Sequence, residues 1–131
     1  EAYNNLGYVY RKAGRLDQAQ VAYERALSLD PEFVEAYNNL GQVYKQRGDW
    51  NAAVRQYKKA IAVKPMFQNA YFNMAMIYKM SGELEEEAEV LQDIIDLFGS
   101  EDRQGSYAKN RLAELIKSTS QSSMTSDIWD K

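Results

Sequence analysis

The word Ala2–Tyr3–Asn4–Asn5–Leu6–Gly7–Tyr8–Val9–Tyr10 returns as Ala36–Tyr37–Asn38–Asn39–Leu40–Gly41–Gln42–Val43–Tyr44, and more loosely as Ala70–Tyr71–Phe72–Asn73–Met74–Ala75–Met76–Ile77–Tyr78, each time 34 residues further on. A fixed period of this size belongs to units too small to close a core alone, which must stack on their neighbours. The chain is therefore an array. Within one unit, Tyr3, Leu6 and Tyr10 share a helical face with small Gly7 and Ala13, and Gly14 supplies the left-handed backbone that ends a helix. A second stripe follows at Leu16, Ala19, Tyr23, Ala26 and Leu27, and Asp30–Pro31 stops it, because the residue before proline is pushed out of helical geometry. Each unit reads as a helix, a tight turn and an antiparallel helix.

The residues Leu6–Gly7, Tyr10, Gly14, Ala19, Tyr23, Ala26 and Pro31 resemble those of a tetratricopeptide repeat, and the resemblance recurs at Leu40–Gly41, Tyr44, Gly48, Ala53, Tyr57, Ala60 and Pro65. It implies an all-α fold, a right-handed α-solenoid of antiparallel helix pairs. The small residues have a reason in distance: Gly7 or Gly41 on one helix and Ala19 or Ala53 on the other let backbones approach, while Tyr23 and Tyr57 fill the wedge beyond. The expected divisions are 1–33, 34–67, a divergent third unit at 68–101, a capping helix at 102–117, and a Ser/Thr-rich tail at 118–131. In the third unit Ala75 replaces the glycine, Glu87 stands where Ala19 and Ala53 stood, and Phe98–Gly99 replaces the Asp–Pro stop. Leu84, Ala88, Leu91, Ile95 and Phe98 keep an apolar stripe there, and the acidic run Glu83, Glu85, Glu86, Glu87 and Glu89 reads as a solvated helix face. After a break at Gly105–Ser106, the capping helix carries Ala108, Leu112, Leu115 and Ile116 on its apolar face, with Lys109, Arg111 and Glu114 toward water.

Composition removes several functions. Basic and acidic residues number 16 and 19, a net charge of -3, which argues against duplex nucleic acid as the main partner. Cysteine and histidine are absent, so disulfides, thiolate chemistry, imidazole metal sites and histidine-based triads have no residues to use. No phosphate loop or activated nucleophile stands out either, so the reading is non-enzymatic, with no cofactor and no metal. No apolar run reaches membrane-spanning length, and the sequence opens inside a helical word without a signal pattern, as a piece cut from a longer, cytoplasmic protein would.

In such a scaffold the ligand surface is the concave face made by the first helices. Helical spacing puts Asn4, Asn5, Tyr8, Arg11 and Lys12 there in the first unit, Glu35, Asn38, Asn39, Gln42, Lys45 and Gln46 in the second, and Asn69, Phe72, Asn73, Met76, Lys79 and Met80 in the third. Asn5, Asn39 and Asn73 fall in register, and an amide both gives and accepts hydrogen bonds, so a row of them suits the backbone of an extended peptide. The row resembles the asparagine ladder of the tetratricopeptide superhelix in O-linked N-acetylglucosamine transferases. Arg11, Lys12, Lys45 and Lys79 add a basic strip, and Tyr8, Phe72, Met76 and Met80 add adaptable apolar surface. The matching ligand is a protein or peptide that combines acidic residues with a bulky apolar anchor. Arrays that capture the C-terminal carboxylate of cytosolic chaperones place lysine and arginine at concave positions held here by Asn4, Tyr8, Asn39, Asn69 and Asn73; only Asn39 fits that clamp.

Two further functions stay open at this point. One is a structural module that self-associates into a homo-oligomer, through open repeat ends or through its tail, where Ile128 and Trp129 form an apolar pair in an acidic setting. The other is the recognition array of an enzyme, such as a glycosyltransferase, whose catalytic domain lies outside this sequence.

Overall fold

A computed structural model describes the backbone of residues 1–129 and the side chains of residues 1–120. Ile128 and Trp129 therefore lie outside the described side chains. The described chain contains helices and turns: α1 (Ala2–Lys12), α2 (Leu16–Leu29), α3 (Val34–Gln46), α4 (Trp50–Val63), α5 (Gln68–Ser81), α6 (Leu84–Phe98) and α7 (Arg103–Trp129). Helices pack in chain order, α1 on α2, α3 on α4 and α5 on α6, and each pair then stacks on the next through α2 on α3, α4 on α5 and α6 on α7.

The turn inside each pair is the same device three times. Gly14, Gly48 and Gly82 have φ of 78°, 79° and 77°. The N–H that follows each glycine reaches back five residues: Arg15 to the Tyr10 carbonyl at 2.8 Å, Asp49 to Tyr44 at 2.9 Å, and Glu83 to Tyr78 at 3.0 Å. This is the Schellman arrangement, which satisfies helix-end carbonyls and needs φ > 0 at the glycine. The turn between pairs is also repeated, with Tyr37 Oη donating to the Pro31 carbonyl at 2.8 Å and Tyr71 Oη to Pro65 at 3.0 Å.

Inside a pair, the close approach is set by glycine against tyrosine. A Cβ on Gly41 would stand 2.5 Å from Cε1 of Tyr57, and one on Gly7 would stand 2.7 Å from Cε1 of Tyr23. Both rings are fully buried. The third pair solves the same volume differently, with Ala75 and Leu91 at the places of glycine and tyrosine. Trp50 packs against the core.

Four expectations are corrected. Glu87 is not on a solvated face: it is completely buried, and Arg111, expected toward water, covers it. In the third unit Leu84 is exposed, while Val90 and Ile94, outside the expected stripe, are buried. The last helix begins at Arg103 and its backbone continues to Trp129, past the expected end at Lys117. Gly105, read as a break, lies inside its first turn, where a Cβ would meet the Gly99 carbonyl oxygen at 2.2 Å. Glycine is needed there for contact rather than for an interruption.

Candidate functional site

The first helices α1, α3 and α5 lie side by side, each touching the next, and α7 continues the row. Their shared face is crossed by amide pairs. Asn39 Nδ2 donates to Asn4 Oδ1 at 3.1 Å, Asn73 Nδ2 to Asn38 Oδ1 at 2.9 Å, and Gln104 Nε2 to Asn69 Oδ1 at 3.1 Å. Arg11 Nη1 to Gln46 Oε1, at 3.4 Å, has the same separation of 35 residues. A residue on one first helix thus faces the residue one period and one step later on the next.

These bonds bring together Asn4 with Asn39 and Asn38 with Asn73. They also change what the asparagine row is. Asn39 and Asn73 each spend one N–H on the preceding unit, which fixes the amide plane, and each keeps an oxygen and a second N–H. Asn5, in the same register, is exposed and has no preceding helix among the described residues.

Gln42 serves the core side of the face. Its Oε1 accepts from Tyr57 Oη at 2.6 Å, and burial raises the Tyr57 phenol pKa, so the hydroxyl stays a donor. The equivalent bond is missing in the first unit, because Tyr8 stands where Gln42 would. Burial raises the Tyr23 pKa as well, and the neighbouring Arg11 guanidinium opposes that rise. Even so, Tyr23 Oη and Arg11 Nε are both buried without a partner of hydrogen-bond geometry.

The basic strip is partly committed. Arg11 and Lys12 lie 5.6 and 5.4 Å from the ring centroid of exposed Tyr8. Lys79 Nζ donates to Tyr107 Oη at 3.4 Å and lies 5.8 Å from the Tyr107 ring centroid, and Phe72 meets that ring edge-on, with centroids 5.7 Å apart. Lys45 and Met76 are half-buried on the same row, and Asn69 is exposed beside Gln104.

Gln104 and Tyr107 are the residues of this face that the sequence reading missed. Counting one more period would have found Tyr107, which falls 34 residues after Asn73 and so occupies the register of the asparagine row; Gln104 falls 34 residues after buried Ala70, so the repeat gives no signal for it. The larger clefts lie elsewhere, at the two ends of the array: about 500 Å³ beside Tyr3, Leu6 and Val21, and about 410 Å³ beside Leu84, Leu112 and Ile116. Among the described residues, no group of three His, Cys, Asp or Glu side chains is placed to hold a metal, and no helix is long and apolar enough to cross a membrane.

Comparison with known proteins follows the same lines. A family model described as TPR repeat matches residues 7–48 and 41–82, and one described as tetratricopeptide repeat matches residues 69–100. No curated protein sequence matches the chain. Among solved structures, the first TPR of Spaghetti (RPAP3), bound to the HSP90 peptide SRMEEVD, is 19% identical with a TM-score of 0.77, over 91% of this chain and 91% of that one. The P58(IPK) TPR domain is 24% identical with a TM-score of 0.80, over 98% of this chain and 36% of that one. The type III secretion translocator chaperone SycD of Yersinia enterocolitica is 16% identical with a TM-score of 0.76, over 91% of this chain and 84% of that one.

Proposed function

The chain belongs to the tetratricopeptide repeat family, and from that premise we propose that it is a non-enzymatic interaction module whose first-helix face holds an extended peptide, or a helix, of a protein partner. One observation carries the reading. The amide pairs Asn4–Asn39 and Asn38–Asn73 hold a row of asparagines in fixed orientation, so the donors and acceptors left over are ordered before any ligand arrives. Ordering in advance lowers the entropy cost of binding, and a row of amides matches a peptide backbone, which alternates donor and acceptor. The neighbour that holds the peptide SRMEEVD lends the fold-level part of this reading its support.

Selectivity on this face rests with Tyr8, Lys12, Lys45 and Met76. Lysines beside an aromatic ring and a methionine suit an acidic segment with one bulky apolar residue. The test uses a fluorescein-labelled acidic peptide carrying one leucine anchor, with a lysine-for-acid version as control, titrated by fluorescence anisotropy. Saturable binding of the acidic peptide alone is expected, weakened roughly tenfold or more in Y8A/K12A/K45A, with Tm little changed because Tyr8 and Lys12 are exposed and Lys45 is half-buried. Equal binding by the triple variant would move the contact to another surface.

A further inference from the structure

The three junctions between successive helix pairs use one place differently. At the first, Ala19 of α2 and Val43 of α3 are buried in one apolar cluster; at the second, Ala53 of α4 and Ile77 of α5 are buried in another. At the third, the equivalent places hold Glu87 of α6 and Arg111 of α7. Arg111 Nε donates to Glu87 Oε2 at 2.8 Å and its Nη2 to Oε1 at 3.2 Å, so both carboxylate oxygens are answered. Its Nη1 also donates to Glu114 Oε2 at 3.3 Å. Glu87 is 0% exposed. The other first helices carry Val9, Val43 and Ile77 where α7 carries Arg111.

We propose that the Glu87–Arg111 pair is a selectivity lock, which reserves the surface of α6 for α7 and refuses the first helix of any other unit, in this molecule or in a second copy. The reason is the asymmetry of desolvation. Seating α3 or α5 on α6 would bury the Glu87 carboxylate against valine or isoleucine with no partner. Seating α7 on α2 or α4 would strip water from Arg111 against alanine. Breaking a buried pair is far more costly than the pair is stabilising when intact, because its own formation must offset the desolvation of two charges. On this proposal the pair contributes choice of partner more than net stability.

Near-identical units make that choice necessary, since a slip by one whole period presents almost the same surfaces. The exposed face of α1 makes it acute. Ala2, Leu6 and Val9 form an exposed apolar row on α1, built like the rows by which α3 sits on α2 and α5 on α4. Without the charge in α6, that row of a second copy would suit the last unit as α3 suits the first. This lock is independent of ligand binding on the first-helix face.

The test replaces the pair by the residues of the first junction. The 131-residue wild type and E87A/R111V are unfolded in denaturant, refolded at low and at high protein concentration, and read by size exclusion with light scattering. Wild type is expected as one species at both concentrations. E87A/R111V is expected to fold with a Tm close to wild type, yet to spread into larger assemblies as concentration rises. The single variant R111V leaves the buried Glu87 carboxylate without its partner and is expected to melt below the double variant. A double variant that refolds as the same single species would overturn the proposal, as would a wild type that itself refolds as a mixture. Failure of the double variant to fold would overturn it too, since an apolar pair suffices at the other junctions and the ion pair would then be holding the fold together.

Discussion

Gly41 has no room for a single methyl group. The ring of Tyr57 that a Cβ would strike is fully buried and anchored by its hydroxyl to Gln42, so it cannot swing aside. The substitution G41A is therefore expected to destabilise the chain by about 1–3 kcal/mol, the usual cost of overpacking, measured by urea unfolding. The third unit indicates the remedy, because Ala75 there faces a chain with Leu91 in the tyrosine position. In G41A/Y57L the leucine makes space for the methyl group, and the double variant is expected to be more stable than the sum of its two single effects. Additive losses would mean that the glycine and the tyrosine are not one packing unit.

At the scale of an element, α7 is tied to the array by its start as well as by Arg111. Asp102 precedes it and accepts from the Gly105 N–H at 2.6 Å and from Gln68 Nε2 at 2.9 Å. These bonds, the Gly105 one first, hold the Asp102 carboxyl below its ordinary pKa. A pKa lowered in the folded chain means stability that is present above the ordinary carboxylate range and lost as pH falls through the folded value. Wild type should thus lose more Tm between neutral pH and about pH 2, below the usual carboxyl range, than D102N does. Asparagine still caps a helix and does not titrate, so at neutral pH D102N should melt close to wild type. Circular dichroism melts across pH check both, and identical acid losses in the two proteins would remove Asp102 from the account.

For the whole molecule, what matters is that the units are similar in sequence but unequal in surroundings. Leu6 is 42% exposed, whereas its counterparts Leu40 and Met74 are 3% and 6% exposed; Val9 is 60% exposed, against 0% for Val43 and 1% for Ile77. Stability in an array is a sum of unit terms and neighbour terms, so the same change should differ by position. V43E places a charge in a dry junction and is expected to cost roughly 3 kcal/mol or more. V9E meets water and should stay within about 0.5 kcal/mol of wild type. Urea midpoints at constant m-value test this, and equal costs at the two sites would show that α1 is covered in solution.

The fold was legible because its determinants are local and repeated: the word around Leu40–Gly41–Tyr44, the glycine that ends each first helix, and the proline that follows the second helix of the first two units. Helical spacing also placed Asn39, Asn73 and Lys45 on a common face, since direction around a helix follows from residue number alone. What that spacing could not say is which atoms are already engaged. Amides that look free in the sequence are bonded across units, because the partner of Asn39 lies 35 residues away on another helix. For the same reason Glu87 and Arg111 read as two surface charges on two helices. Sequence by itself determined the unit, its period and the face that the first helices share; only the tertiary stacking decided that a buried carboxylate meets an arginine 24 residues on, because burial is a property of what covers a residue rather than of the residue.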